Sequence, residues 1–408
     1  MSRLRLKSLL VSKANPDYHP AADFVRAVSM FFIMWYHIWQ QSWLEPSFTI
    51  LGKHFNFNYL VRSGYLFVDI FLLLSAFLLF LPYAKSAFTK TPLPSILSFY
   101  KKRAARILPS YYLCVIVVFL LACFHNEFSS PVQAKQELFS HLTFTYLFRA
   151  ETYIHSKINP ALWTVCVEVQ FYILFPFLAR AFRKYPILTY TLMTLSAFAY
   201  RKLYVESLPD TALFINQLPA FMDVFANGML ASYAYVSLAR KLKKDRSFAL
   251  LSTIAVIFIL IMIHNLFEAQ TKITGDHAIR QGQMDKRFFL SFITSLLLVF
   301  SGFFLRPLKW LFSNLLVRVL SAISYQAYMW HGVIAKYLVK WRIPKYMAES
   351  MPQMNNEPVW QMRYTLCAFL ISIFIALVLT YIFEKPLAAK IHGGKQPRKM
   401  ISPDQHSA

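Results

Sequence analysis

A run of about 20 apolar residues placed in lipid has one backbone it can adopt at low cost, the helix, because hydrocarbon satisfies no unpaired N–H or C=O. This sequence carries ten such runs, near 23–44, 60–83, 107–125, 160–182, 186–204, 213–238, 248–267, 288–305, 319–341 and 361–384. The expected fold is therefore all-α: a polytopic membrane protein of about ten transmembrane helices. Residues 23–384 form one membrane domain, with basic flanks at 1–22 and 385–408, the second of which reads as disordered. Composition agrees, since only 15% of residues are charged, against about 25% in soluble domains. The four cysteines lie in apolar runs without metal-ligand spacing and read as small core residues, so neither a disulfide nor a metal is expected.

The formal net charge of +24 would point to nucleic acid in a soluble chain. Here Lys and Arg gather in alternate connecting segments, above all Lys101–Arg106 and Arg240–Arg246. The positive-inside rule then puts both termini in the cytoplasm and the protein, multi-pass, in the plasma (inner) membrane. No nucleic-acid partner is expected.

An ionisable side chain inside a span is costly and marks a functional site by default. The first span holds Arg26 near its start and His37 deep inside. Eleven residues bring a helix back almost to the same azimuth, so the two share a face, about 16 Å apart along the axis. Asp69, Glu168, Asp223 and His331 are further ionisable residues within spans. Counting about 1.5 Å per residue puts His37, Asp69 and Glu168 at one depth, which predicts that spans one, two and four meet around a central polar chamber. Imidazole is suited to taking a proton from a hydroxyl near neutral pH, and a neighbouring carboxylate fixes its tautomer. The expected catalytic set is thus His37 as general base, oriented by Glu168 or Asp69. Asp223 is expected to hold Asn227, one turn on. Ser75 has no base beside it in sequence, which favours direct transfer over a covalent intermediate.

These residues also fall in a series of short motifs. Arg26 and His37 are separated by ten residues; Gly64–Leu78 contains Asp69 and Ser75-Ala76; Arg103, Arg106, Ile107 and Pro109 make a basic run. Trp163, Glu168 and Tyr172 follow, then Phe225 and Gly228, then Ser324, Tyr325, Tyr328 and His331, and last Glu384 with Pro386. In this order, over about 20–390, the chain resembles membrane-bound acyltransferase family 3, O-acyltransferases of cell-envelope acceptors. Ser75-Ala76 departs from the family's Ser-Gly and bears on how closely that helix packs.

The resemblance implies an acyl-CoA donor, acetyl-CoA foremost, bound from the cytoplasm, and an acceptor hydroxyl on an envelope saccharide or lipid-linked glycan amid membrane lipid. It assigns the donor phosphates to Arg26, Arg103 and Arg106, a role that suits the forked guanidinium. Trp163, Tyr172, Tyr328 and His331 are the implied substrate-binding residues, Tyr172 as donor to the thioester oxygen. Transfer is expected to finish within the membrane or through a separate extracytoplasmic acyl-handling protein. The alternative from composition alone is a proton-coupled transporter of an acyl group or anionic solute, since such carriers also bury His and carboxylates.

Overall fold

The computed structural model describes residues 19–89, 91–208, 211–242, 245–346, 352–355 and 357–391. Most of the predicted flanks, 1–18 and 392–408, lies outside the described residues.

Each of the ten predicted spans contains helix, although 213–217 and 302–305, at the ends of two of them, are turn and coil. Helix α1 (Pro20–Ser42) begins with Pro at its first turn, where a missing N–H costs nothing, and ends where Trp43 turns left-handed and returns its N–H to Trp39. A hairpin of β1 (Ser47–Ile50) and β2 (Lys53–Asn56) follows, the one departure from an all-helical chain among the described residues. After the short α2 (Asn58–Arg62) come α3 (Phe67–Phe88) and α4 (Ile96–Phe124). Ser95 caps α4 by accepting from the Ser98 N–H at 3.1 Å, so Lys101–Arg106 lie on the helix and not in the connector predicted there.

The polar segment between spans three and four forms α5 (Pro131–Leu142) and the single turn α6 (Ala150–Tyr153). Then follow α7 (Trp163–Lys184), α8 (Pro186–Tyr200), α9 (Met222–Leu242), α10 (Arg246–Thr271) and α11 (Asp276–Ser301). The chain continues through α12 (Arg306–Ser313), α13 (Leu315–Lys340), α14 (Pro358–Val378) and α15 (Lys385–Ile391). A π-helical turn, Leu379–Glu384, joins the last two, so helix persists seven residues into the predicted disordered tail.

Among the described residues, five segments are long and apolar enough to cross a membrane: Gly64–Phe88, Ile96–Phe124, Pro160–Lys184, Arg246–Thr271 and Pro358–Ile391. The other five predicted spans are helices that fall short of that length or apolarity. Helices α10 and α14 turn apolar rows outward, Ile254, Ile257, Phe258 and Ile261 on one and Leu366, Leu370 and Phe374 on the other. Such faces suit lipid and not water, and the chain is a multi-pass membrane protein.

Helix α1 runs through the bundle against α13 and α3, burying Val25, Met30, Ile33, Met34 and Ile38. Two glycines set the closest approaches. A Cβ on Gly64 would come within 2.5 Å of the Phe32 carbonyl oxygen of α1, and one on Gly228 within 2.4 Å of the Leu73 carbonyl oxygen. Close packing of α3 therefore survives Ala76, because the glycine that permits it sits on the facing helix, α9. Three residues before Gly228, Phe225 stacks on Phe171 of α7, ring centres 3.8 Å apart.

Candidate active site

Four of the helices that carry motif residues, α1, α3, α7 and α13, each pass two separate cavities. The first, of about 360 Å³, opens where α1 begins. Asp23 and Arg26 of α1, Ser75 of α3, Arg103 and Arg106 of α4, Glu168 and Tyr172 of α7, and Ser324 and Tyr325 of α13 line it. Arg26 faces Arg106, Asp23, Glu168 and Tyr172. Arg103 lies 6.0 Å over the Tyr172 ring and 5.8 Å over Phe99. Glu168 and Tyr172, four apart on α7, share a face. Ser75 Oγ lies 3.3 Å from the Tyr172 hydroxyl, and both surround Glu168. Asp23 accepts from Ser321 at 2.6 Å. The closing motif is structural at this end: Glu384 accepts from Gln326 at 2.8 Å, and Gln326 also bonds Ser110 at 2.7 Å, which fixes α13 beside Ser324 and Tyr325.

The second cavity, of about 470 Å³, lies towards the other end of α1. Tyr36, His37, Tyr65, Trp163 and Tyr328 supply aromatic walls, with Asn216, Asp276 and Gln283 as polar groups. A third, smaller cavity also has His37 in its lining, together with Gln40, Gln41 and Gly332. The His37 Nδ1 donates to the Gln40 carbonyl at 2.9 Å, which leaves Nε2 as the proton-accepting nitrogen. Gln40 in turn donates to the Tyr36 hydroxyl at 3.0 Å. The wholly buried His331 lies with its ring centre 5.1 Å from that of His37, its own Nδ1 on the Ala327 carbonyl.

Four expectations need correction. The single central chamber is two cavities that share no lining residue, parted where Phe71 stacks on Tyr328 at 5.8 Å. Asp69 does not orient His37; it pairs with Arg287 of α11 at 3.2 Å, both side chains fully buried. Glu168 lines the Arg26 cavity and not those of His37, whose tautomer is held by an amide. Depth counting gives height along a helix but says nothing of azimuth, and Asp69 points towards α11. Nor does Asp223 hold Asn227: it pairs with Arg201, while Asn227 bonds Tyr190 and Ser291.

Arg287 and Arg201 are the residues that sequence reasoning passed over. Arg287 stood one residue outside a predicted span, whereas its helix starts at Asp276. Arg201 lay inside a predicted span and was itself a signal. The other motif residues divide between the cavities, Arg26, Arg103, Arg106 and Tyr172 in the first and Trp163 and Tyr328 in the second.

A family profile described as an acyltransferase domain matches residues 19–384, which takes in all three cavities and every motif residue above except Pro386. The chain belongs to the acyltransferase 3 family. It is an acyltransferase of the membrane, and its family implies an acyl donor. Among curated relatives, ORF330 of Acidianus two-tailed virus is 25% identical over 79% of this chain and 85% of its own length. The O-acetyltransferase OatA of Staphylococcus aureus is 28% identical over 40% of this chain, and the peptidoglycan O-acetyltransferase OatA of Listeria monocytogenes 26% over 34%. Those matches span about a quarter of the OatA proteins, 25% and 23%. No solved structure matches the chain.

Proposed function

We propose that this acyltransferase moves an acyl group from acyl-CoA, acetyl-CoA being the smallest such donor, to a hydroxyl of a cell-envelope saccharide or lipid-linked glycan. One observation carries the reading: α1 places an arginine-rich cavity at its start and a tautomer-fixed imidazole between two cavities near its end. With the start of α1 in the cytoplasm, Arg26, Arg103 and Arg106 hold the donor phosphates, and the pantetheine arm threads towards His37. For the thioester to arrive, the Phe71 and Tyr328 rings have to part.

The acceptor oxygen bonds to the acyl carbon as the C–S bond breaks. Its proton passes to Nε2 of His37 and then to the departing thiolate, which leaves as the CoA thiol. Aromatic rings with Asn, Asp and Gln beside His37 suit the alternating apolar and hydroxyl faces of a sugar. Tyr172 and Glu168, in the donor cavity, act on the arm and not on the acceptor.

The test is purified protein in nanodiscs with labelled acetyl-CoA and envelope glycan, following thiol release and label on the glycan. His37→Ala is expected to lower transfer at least about 100-fold, the lower range for a lost general base. Label crossing a vesicle membrane without thioester cleavage would sink the enzymatic route and leave a carrier.

A further inference from the structure

The third cavity, about 300 Å³, has no part in the chemistry described so far. Its walls are mainly apolar, from Ile158, Pro160, Ala161, Val333 and Ala335, while the exposed Gln40 and Lys336 mark its mouth. It shares His37, Pro160 and Ala161 with the aromatic, polar cavity, so the imidazole borders both spaces. We infer that this cavity holds the alkyl tail of the transferred acyl group, and that the enzyme takes acyl chains longer than acetyl.

The inference rests on the proposed route of the donor. The acyl group is the leading end of the pantetheine arm. Whatever lies past its carbonyl must lodge farther from the phosphate clamp than His37 does. Gln40 and Gln41 follow His37 on α1 going away from Arg26, and both line this cavity and not the other two. Polarity sorts the two spaces at His37 in the same sense: a hydroxyl-rich acceptor fits the one with Asn216, Asp276 and Gln283, an alkyl chain the apolar one. Size points beyond acetyl as well. One methyl group fills about the space of one water molecule, about 30 Å³, a small part of this volume.

Gly332 sets the width. It lines the cavity, and a Cβ built there meets no atom within 4 Å, so a larger side chain extends into open space and not into a neighbouring helix. Gly332→Ala therefore adds a methyl group to the slot with no atom within 4 Å of it, and Gly332→Leu is expected to shorten the slot further.

The experiment compares acetyl-, butyryl-, hexanoyl- and octanoyl-CoA with the nanodisc protein, reading CoA thiol release and the mass of the acylated acceptor. In the unaltered enzyme kcat/KM for butyryl or hexanoyl is expected to equal or exceed that for acetyl. The hexanoyl-to-acetyl ratio should fall at least tenfold in Gly332→Leu, with Gly332→Ala between; the alanine variant keeps the test decisive should the leucine one fold poorly. Acetyl as the sole donor, with the same ratio in all three proteins, overturns the tail cavity while leaving the transferase standing. Absence of thioester cleavage with every donor overturns both.

Discussion

Two groups of charged side chains lie inside this bundle, and they are closed to different degrees. Around Asp69 two carboxylates meet two guanidiniums: Asp69 pairs with Arg287 and Asp223 with Arg201, and the two pairs face each other. Further donors reach backbone carbonyls, Arg287 Nη1 those of Ile215 and Ala220 and Arg201 those of Met284 and Ala197, while Arg287 Nη2 is buried without a hydrogen-bond partner and the guanidinium lies over the Phe221 ring at 3.8 Å. In the cavity at the start of α1, three guanidiniums face two carboxylates around open volume, and one carboxylate already accepts from Ser321. A buried charge stripped of its partner costs several kcal/mol. A neutral cluster of matched charges therefore ties helices together, whereas a cationic excess around open space suits an anionic ligand.

Breaking the closed group should produce the largest loss of stability. Asp69→Asn or Arg287→Met leaves one charge uncompensated, at about 3–5 kcal/mol. The expected readout is a large fall in melting temperature in detergent and loss of monodisperse protein. The pair Asp69→Leu with Arg287→Met should recover part of that loss. Single variants that melt as the unaltered protein does would mean the cluster does not bind α3 to α11.

The open group should respond the other way. On the proposed donor route, Arg26→Gln removes a charge-assisted phosphate contact worth about 1.5–3 kcal/mol. KM for acyl-CoA should rise about ten- to a hundredfold with the melting temperature little moved. A melting-temperature loss as large as that of Asp69→Asn, with KM unchanged, would make Arg26 a structural residue like Arg287.

A third pair of contacts, at the surface, gives the smallest effect. Glu127, just beyond α4, accepts from Lys336 and, at 2.8 Å, from Lys340 of α13. Burial pushes its carboxyl up, but the two ammonium groups outweigh that and hold it below the usual range. The folded state then binds this proton more weakly than the unfolded chain does. Its stabilisation is full above the ordinary glutamate pKa of about 4.3 and fades as pH falls through the lower folded value. Glu127→Gln should cost about 0.5–1 kcal/mol at neutral pH and nothing in strong acid, which melting curves against pH will read. A pH-independent cost would remove the charges from the account.

Much of the site could be read along the chain. Arg26 and His37 stand on one helix face at a known rise per residue, so their separation follows from helix geometry alone. Glu168 and Tyr172 share a face for the same reason. What could not be read is which neighbour each buried group meets. Asp69 turns to α11 and Asp223 to an arginine 22 residues upstream, because partners across a bundle depend on helix rotation and packing, which no single helix encodes. Gln40, on the same helix as His37, was within reach of the i, i+3 rule and was overshadowed by the carboxylates.

Apolar run length, charge placement and spacing within single helices are local properties, and from them the amino-acid order by itself determined a helical membrane bundle with an arginine and an imidazole on one face of its first span. The division of the interior into separate cavities, the pairing of Asp69 with Arg287 and the open slot beside Gly332 were decided only when the helices packed, because each depends on the relative azimuths of several helices at once.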